Sequence, residues 1–194
     1  MNPRLSLIIC RHTQTDDNAR CCYTGQDDIP LNSTGEHQAN ALALRLSAFR
    51  DIRSVVSSDL KRTTEVAMRI ARRIHLCPIL MPDLREVNIG KMSGLLKEEA
   101  IAQFPGEHHS TSLPTFDFTD IGGESSAQVV FRHQRALEII VEKFGSPRTD
   151  PIARVILVGH GTALARVFVQ EHNVIDRLHV QGDFQEFLWP PLSH

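Results

Sequence analysis

The stretch Leu5-Ser-Leu-Ile-Ile-Cys10 is almost entirely apolar, and Arg11 and His12 follow it directly. A short apolar run of this kind is typical of a strand that is buried on both faces. Strands with that burial occur in parallel sheets whose two faces are covered by helices. This stretch therefore predicts a central strand that delivers two basic side chains to one edge of a sheet.

Similar patterns extend the prediction outward from this strand. Four further strands are expected over residues 54–58, 78–81, 154–158 and 184–189, the last of them at an edge of the sheet. Helical periodicity predicts helices over residues 34–49, from Asp59 to Ile74, and over 97–104, about 125–144 and 162–172. We expect Ser33 and Asp59 to cap the first two helices. Alternating strands and helices predict an α/β fold, a three-layer sandwich with a mostly parallel central sheet and helices on both faces.

Length and composition limit the classes of protein that fit. The 194 residues fit one domain over 1–194, with a short lid-like insertion at about 105–123 where periodicity is absent. With 41% hydrophobic residues, the chain resembles neither a disordered nor a membrane protein. Its net charge is -2, so it has no overall excess of basic residues with which to bind nucleic acid. Its four cysteines lack CxxC spacing, and we find no signal-peptide or membrane-length segment. We therefore expect a soluble, cytoplasmic protein.

Polar side chains follow each of the first four predicted strands. In chain order these are Arg11 with His12, then Arg62 in the first turn of a helix, then Arg85 with Glu86, and finally His160 between Gly159 and Gly161. Each of them alone is more often a solvated arginine or a turn residue. Together they indicate a site, because ligands of open α/β sheets bind at the carboxyl ends of the strands.

The residue types in this site point to phosphoryl chemistry. Arginine forks and histidine rings suit a dianionic phosphoryl group. A neutral histidine can attack phosphorus, and a carboxylic acid can protonate the leaving oxygen. The sequence has no GxxxxGK[ST] and no HExxH motif, so we expect no metal and no cofactor. His108 and His109 could bind a metal, although two solvated loop histidines are the commoner outcome.

Several blocks of the sequence, in the same order, resemble the motifs of the histidine phosphatase superfamily, which includes the phosphoglycerate mutase family. The blocks span about residues 5 to 162 and are Ile9-Cys-Arg-His-Thr-Gln-Thr15 continued by Asn18, Tyr23-Thr-Gly-Gln-Asp-Asp-Ile-Pro-Leu31 and Thr34-Gly35, then Ser57-Ser-Asp-Leu-Lys-Arg-Thr-Thr-Glu65, Leu84-Arg-Glu-Val-Asn-Ile-Gly90, Gly122-Gly-Glu-Ser125 and Val158-Gly-His-Gly161. An Arg-His pair alone would mean little, whereas five ordered blocks are specific. The resemblance implies the phosphoglycerate mutase-like α/β fold.

The resemblance also implies roles for the residues at the strand ends. His12 would be the nucleophile and become phosphohistidine, and Glu86 would be the general acid and then the base for water. Arg11, Arg62 and His160 would clamp the phosphoryl oxygens. These roles agree with the chemistry expected from the residue types.

The remaining pocket residues rest on the resemblance alone. It implies that phosphate is also bound near Asn18, Thr24, Gly25 and the backbone of Gly161. Thr13 stands where the family usually has glycine, and its Cβ narrows the loop and restricts φ. The shape of the loop after the first strand is therefore open at this stage.

The segment after Glu86 indicates the type of substrate. Residues 98–131 contain no Lys or Arg, while Glu107, Asp117 and Asp120 are acidic. Mutases of the family grip a second anionic group with basic residues of a longer insertion, and an anion held without a cation is costly. We therefore expect hydrolysis of a small phosphate monoester with a neutral or apolar remainder.

Two other functions stay open. Mutase-type phosphoryl transfer would need a cation from elsewhere, such as Arg20 or Lys91. A non-catalytic module that binds phosphorylated ligands is the other alternative, although such scaffolds usually lose the nucleophile or the acid.

The stretch from Cys22 to Leu31 is somewhat similar to α-ribazole phosphatases. The oligomeric state and the role of Trp189-Pro190-Pro191 are not settled by the sequence.

Overall fold

The computed structural model describes residues 4–105, 116–146, 153–168 and 181–189. Its sheet has five strands, which are β1 (Leu5–Arg11), β2 (Ile52–Ser57), β3 (Ile79–Leu80), β4 (Arg154–Gly159) and β5 (Phe184–Trp189). The strand order is β3-β2-β4-β1-β5. The first four strands are parallel, and β5 pairs antiparallel with β1 at the edge. The mostly parallel sheet and its edge strand are confirmed.

Six α-helices accompany the strands in the described residues. They are α1 (Asp16–Arg20), α2 (Ser33–Leu46), α3 (Lys61–Arg73), α4 (Lys97–Gln103), α5 (Ser126–Phe144) and α6 (Gly161–Val167). The predicted helix over 34–49 ends three residues early, and α1 was not predicted. The end of the helix predicted over 162–172 lies partly outside the described residues.

Alternation along β1 divides the core into two layers. Leu5, Leu7 and Ile9 face α5 and α6, while Ile8 and Cys10 face α2 and α3. All five side chains are fully buried. Successive strand residues point to opposite faces, so a strand that is apolar throughout needs helices on both sides. The three-layer arrangement follows from this burial.

Both predicted helix caps are wrong. Asn32, not Ser33, is the N-cap of α2, and its side chain accepts a 2.8 Å hydrogen bond from the backbone N–H of Gly35. α3 has Leu60 at its N-cap position, without a side-chain cap. The carboxylate of Asp59 instead accepts two hydrogen bonds from Arg85, at 2.7 and 2.5 Å. A bidentate, charge-assisted contact is stronger than a single bond from a backbone N–H, which explains the difference.

The apolar side chains in the described part of the predicted insertion are packed into the core. Residues 106–115, which include His108 and His109, lie outside the described residues. Phe116 and Phe118 are buried, and they share an apolar cluster with Val87 of the loop that carries Glu86. This packing places residues 116–123 against the site rather than away from it.

The structure also bears on the cysteines, on membrane-spanning helices and on Trp189. All four cysteines lie in the described part, and none is in a disulfide. No helix among the described residues is long and apolar enough to cross a membrane. The ring of Trp189 packs at right angles to Phe168 and Phe187, with centroids 5.1 and 6.3 Å away. Pro190 and Pro191 lie outside the described residues.

Candidate active site

The parallel pairing of β1 with β4 brings the first and last motifs together. Arg11 is in register with Gly159, and the backbone N–H of His12 donates a 3.0 Å hydrogen bond to the Gly159 carbonyl. α6 begins at Gly161, directly after β4, and Arg62 is the second residue of α3, which follows β2. The carboxyl edge of the sheet therefore holds residues that are far apart in the sequence.

A cavity of about 510 Å³ opens at this edge. Eight of the nine predicted site residues line it, namely Arg11, His12, Asn18, Thr24, Gly25, Arg62, Glu86 and Gly161. The ninth, His160, is fully buried, with its ring centroid 5.4 Å from that of His12. The structure thus brings together the residues that the sequence predicts.

The ring of His12 is held in one tautomer. Its Nδ1 lies 2.8 Å from the carbonyl oxygen of Thr13, and because a carbonyl only accepts, Nδ1 carries the proton. The lone pair is then on Nε2. Burial lowers the pKa of His12 well below 6.5, and the charges of Arg62 and Arg11 lower it further. His12 is therefore a neutral base with one available nitrogen.

Thr13 fits the loop that holds His12. Its side chain is fully buried, and its hydroxyl donates a 2.7 Å hydrogen bond to the Gly35 carbonyl. The described non-glycine residues with positive φ are Cys21, Asp51 and His75, so Thr13 is not strained. The Cβ that replaces the family's glycine is accommodated, and the hydroxyl fastens the loop to α2.

Glu86 bridges its own loop and the start of α6. Its Oε1 accepts hydrogen bonds from the backbone N–H groups of Val87, at 3.0 Å, and Ala163, at 2.8 Å. Its Oε2 accepts one from Thr162 at 3.2 Å. Three backbone donors fix the orientation of the carboxyl group at the cavity wall.

Arg62 is a buried cation that a surrounding loop positions. Its side chain is 1% exposed, and its two terminal nitrogens donate to the carbonyls of Asp27, at 2.6 Å, and Gly25, at 2.7 Å. Burial lowers the pKa of its guanidinium, and Glu86 opposes that shift. Burial also lowers the pKa of Arg11, again opposed by Glu86. The predicted residue Gly25 thus lines the cavity and also holds Arg62.

Two buried nitrogens at the site lack a hydrogen-bond partner among the described residues. They are Nε of Arg62 and Nδ1 of His160. The other ring nitrogen of His160 lies 2.7 Å from the hydroxyl of Ser58. Burial, followed by the charge of Arg62, lowers the pKa of His160 well below 6.5. Buried polar atoms are rarely unpaired, so these two nitrogens mark a polar interior beside the cavity. The guanidinium groups of Arg11 and Arg62 line the cavity itself, so an anion with several oxygens is a suitable occupant.

Asn18 is oriented by the same region of the chain. Its carboxamide oxygen accepts hydrogen bonds from the backbone of Thr15, at 3.2 Å, and from the side-chain amide of Gln181, at 2.7 Å. Its NH₂ group is then the part that can donate into the cavity. The hydroxyl of Thr24 donates to Asp17 at 3.2 Å, so Thr24 lines the cavity with its hydroxyl proton already used.

The cations outside this inner group differ from the expectation. Arg85 does not line the cavity, because it pairs with Asp59. Neither Arg20 nor Lys91 is among the described lining residues, whereas Lys97, the first residue of α4, lines the cavity. The sequence prediction missed Lys97 because it counted cations only from residue 98 onward. Counting from the start of the helix would have found it.

The other lining residues were given no role in the site by the sequence, although several of them lie within the quoted motif blocks. They are Gln14, Cys21, Cys22, Tyr23, Val87, Ile89, Phe118, Thr162, Ala165 and Gln181. They add apolar and neutral polar side chains to the wall of the cavity. Within the described residues no group of three or more His, Cys, Asp or Glu side chains is arranged to hold a metal ion.

Comparison with known proteins agrees with this geometry. The sequence profile of the histidine phosphatase superfamily (branch 1) matches residues 7–174. The chain belongs to this superfamily. The solved structure of mycobacterial glucosyl-3-phosphoglycerate phosphatase in complex with VO3 matches with a TM-score of 0.79 at 27% identity, over 95% of this chain and 90% of that one. The phosphoglycerate mutase-like α/β fold is thereby confirmed.

Two similar proteins carry the names of different activities. A metal-independent phosphoserine phosphatase of Arabidopsis thaliana is 35% identical over 168 residues, which are 84% of this chain and 67% of that protein. A probable phosphoglycerate mutase of Photorhabdus laumondii is 34% identical over 165 residues, which are 82% of this chain and 71% of that protein. Superfamily membership therefore does not by itself decide between hydrolysis and transfer.

Proposed function

We propose that this protein is a phosphomonoesterase, a hydrolase that acts on a small phosphorylated metabolite through a phosphohistidine on His12. The observation that carries the proposal is the neutral His12 ring, whose Nε2 is available in a cavity that also contains Arg11, Arg62 and Glu86. In this proposal Arg11, Arg62 and His160 bind the phosphoryl oxygens. The guanidinium groups replace a metal ion in neutralising charge.

The reaction proceeds in two balanced steps. In the first, the Nε2 lone pair of His12 forms a bond to phosphorus, the bond from phosphorus to the ester oxygen breaks, and protonated Glu86 gives its proton to the departing alcohol. In the second, the Glu86 carboxylate takes a proton from water, and the water oxygen attacks phosphorus. The nitrogen–phosphorus bond breaks, which releases phosphate and regenerates Glu86 and His12.

The cavity supports a small organic remainder on the phosphate. Its lining combines apolar residues such as Val87 and Phe118 with the neutral amides of Gln14 and Gln181. A monoester with a neutral or apolar remainder fits these groups. A panel of phosphate monoesters that includes phosphoserine and α-ribazole phosphate is the direct way to find the substrate.

Trapping the intermediate tests the proposal. The enzyme, mixed with labelled substrate and quenched within milliseconds, should carry an acid-labile, base-stable phosphoryl group that maps to His12. The His12→Gln variant should carry no label, whereas the control variant His37→Gln, at an exposed histidine of α2, should be labelled normally. Label on a serine, aspartate or cysteine would contradict the proposal. Phosphate binding without label or turnover would instead identify a binding module.

Mutase-type transfer is the second candidate, and Lys97 favours it. A cation that lines the cavity can hold a second anionic group. Residues 98–131, which contain no Lys or Arg, offer no such cation. The two candidates differ in the product formed from 3-phosphoglycerate with catalytic 2,3-bisphosphoglycerate. A phosphomonoesterase should release inorganic phosphate. Fast formation of 2-phosphoglycerate with little free phosphate would make the protein a mutase.

A further inference from the structure

Arg132 is a nearly buried arginine that contacts the backbone of the Glu86 loop at three points. Its side chain is 13% exposed. Nη1 donates to the carbonyls of Asp83, at 2.9 Å, and Arg85, at 2.6 Å, while Nη2 donates to the carbonyl of Glu86 at 2.9 Å. One planar side chain therefore binds three of the four carbonyl oxygens of residues 83–86, the segment that ends at Glu86.

Glu124 pairs with the guanidinium group of Arg132 and binds the loop as well. It accepts two hydrogen bonds from Arg132, at 2.8 and 2.9 Å, and its Oε2 also accepts the backbone N–H of Asn88 at 2.8 Å. Its own backbone N–H donates to the Asn88 carbonyl at 2.8 Å. The pair thus binds the loop at residues 83, 85 and 86 and again at residue 88, beyond Glu86.

Two neighbours of the pair leave the loop little freedom. The side-chain amide of Gln26 donates to the carbonyl of Glu86 at 2.9 Å, so that this carbonyl accepts two hydrogen bonds. Gly123 lies directly against the loop, where an added Cβ would stand 2.4 Å from the Asn88 oxygen. This close approach explains why the Gly122-Gly-Glu-Ser125 block, which lines none of the described cavity, belongs with the catalytic motifs.

We infer that Arg132 and Glu124 are positioning residues that set the place of the Glu86 carboxyl group relative to the leaving oxygen. Neither side chain lines the described cavity, so neither acts on the substrate directly. The inference rests on the proposed role of Glu86 as the general acid. A carboxyl group displaced by about 1 Å can cost roughly 100-fold in rate, and backbone contacts at residues 83, 85, 86 and 88 prevent such a displacement.

The test uses Arg132→Lys and Glu124→Gln. Lysine keeps the charge but cannot replace the planar fork, and glutamine keeps the shape but loses an acceptor. The matched control is Arg135→Lys, because Arg135 lies on the same helix and binds Asp83 through side chains only, at 2.7 and 2.8 Å, with 59% of its side chain exposed. Thermal midpoints and inhibition by inorganic phosphate report on folding and on the phosphoryl pocket.

The measured quantity is kcat/KM for an alkyl phosphate and for nitrophenyl phosphate, whose leaving oxygen needs little protonation. Arg132→Lys and Glu124→Gln should each lose about 10- to 100-fold with the alkyl phosphate. The loss should be much smaller with nitrophenyl phosphate, and phosphate inhibition should be unchanged. Arg135→Lys should behave as the unaltered protein with both substrates.

The same measurements in a Glu86→Gln background separate positioning from a structural role. If Arg132 acts through Glu86, its substitution should cause little additional loss there, because coupled residues are not additive. Additive losses, or equal losses with both substrates, would overturn the inference while the proposed function stands. If Glu86→Gln itself lost activity equally with both leaving groups, its role as the acid would fail, and the inference with it. Glu124→Gln keeps the test decisive if Arg132→Lys does not fold.

Discussion

Lys97 is the residue whose position most affects the expected selectivity. Its side chain is exposed at the cavity wall, where it can meet a carboxylate or second phosphate on the substrate remainder. Lys97→Met should lower kcat/KM for phosphoserine about two- to fivefold, because an exposed ion pair contributes roughly 0.2–1 kcal/mol. Phenyl phosphate should be unaffected.

Lys91→Met is the control for this prediction, since Lys91 is also exposed but is absent from the described cavity lining. It should change neither substrate. Equal effects of Lys97→Met on the charged and uncharged remainders would show that Lys97 acts on the shape of the site. In that case the expectation of a neutral or apolar remainder would hold.

At the residue scale, sequence reasoning identified side-chain types better than their partners. His12, Glu86 and Arg62 were predicted because each follows a strand, which a sequence pattern reveals. The tautomer of His12 was not predictable, since it depends on one carbonyl of Thr13 and on its geometry. Arg85 was expected beside Glu86 in the site, but Asp59, 26 residues earlier, binds it elsewhere.

The start of α2 is the element that supports the His12 loop. Gly35 lies so close to this loop that an added Cβ would stand 2.0 Å from the carbonyl oxygen of Gln14. Gly35→Ala must therefore displace backbone, which typically costs about 1–3 kcal/mol. For a chain of this size that is roughly 2–4 °C in the thermal midpoint per kcal/mol. The displaced loop should also slow phosphorylation of His12.

Thr34→Ala gives a matched control in the same turn of α2, because Thr34 is exposed. Its thermal midpoint and its rate of phosphoenzyme formation should stay near those of the unaltered protein. A Gly35→Ala variant with normal stability and normal phosphorylation would show that the loop after β1 is held by other contacts. The hydrogen bond from Thr13 to the Gly35 carbonyl would then be the first alternative to examine.

At the scale of elements, the strands and long helices were predictable and their ends were not. Apolar periodicity identified α5 within a residue at its start, and Ser125 caps it as a typical capping box. α1 was missed because five residues are too few to show a period. The loop that carries Glu86 takes its shape from Arg132 and Glu124, which lie 46 and 38 positions further along the chain.

For the whole molecule, the parallel sheet made the assembly of the site predictable. Residues that follow parallel strands must meet at one edge, and the cavity lies there. The selection of residues around the rim was not predictable, because it depends on how α4 and the segment around Phe118 pack across the edge. Tertiary packing of that kind leaves no periodic trace in the sequence.

Among the described residues, three buried histidines make the stability of the molecule depend on pH. His12, His133 and His160 are at most 4% exposed. Burial lowers the pKa of His133 to about 3 and lowers those of His12 and His160 well below 6.5. Unfolding returns each to an ordinary pKa near 6.5, so below that pH the unfolded chain binds protons that the folded chain does not. Stability should therefore be full above about pH 6.5 and fall as the pH decreases.

Below pH 6.5 the free energy of unfolding should fall by up to about 1.4 kcal/mol per histidine for each pH unit. The measurement is urea unfolding at several pH values between 7.5 and 5. His133→Leu should reduce this slope by about a third, since it removes one of three equivalent contributions. His37→Leu, at an exposed histidine of α2, should leave the slope unchanged. A free energy of unfolding that stays constant from pH 6.5 to 5 would contradict the burial of neutral histidines. The assignment of His12 as a neutral nucleophile would then be contradicted as well. The same desolvation that destabilises the fold in acid also keeps Nε2 of His12 unprotonated.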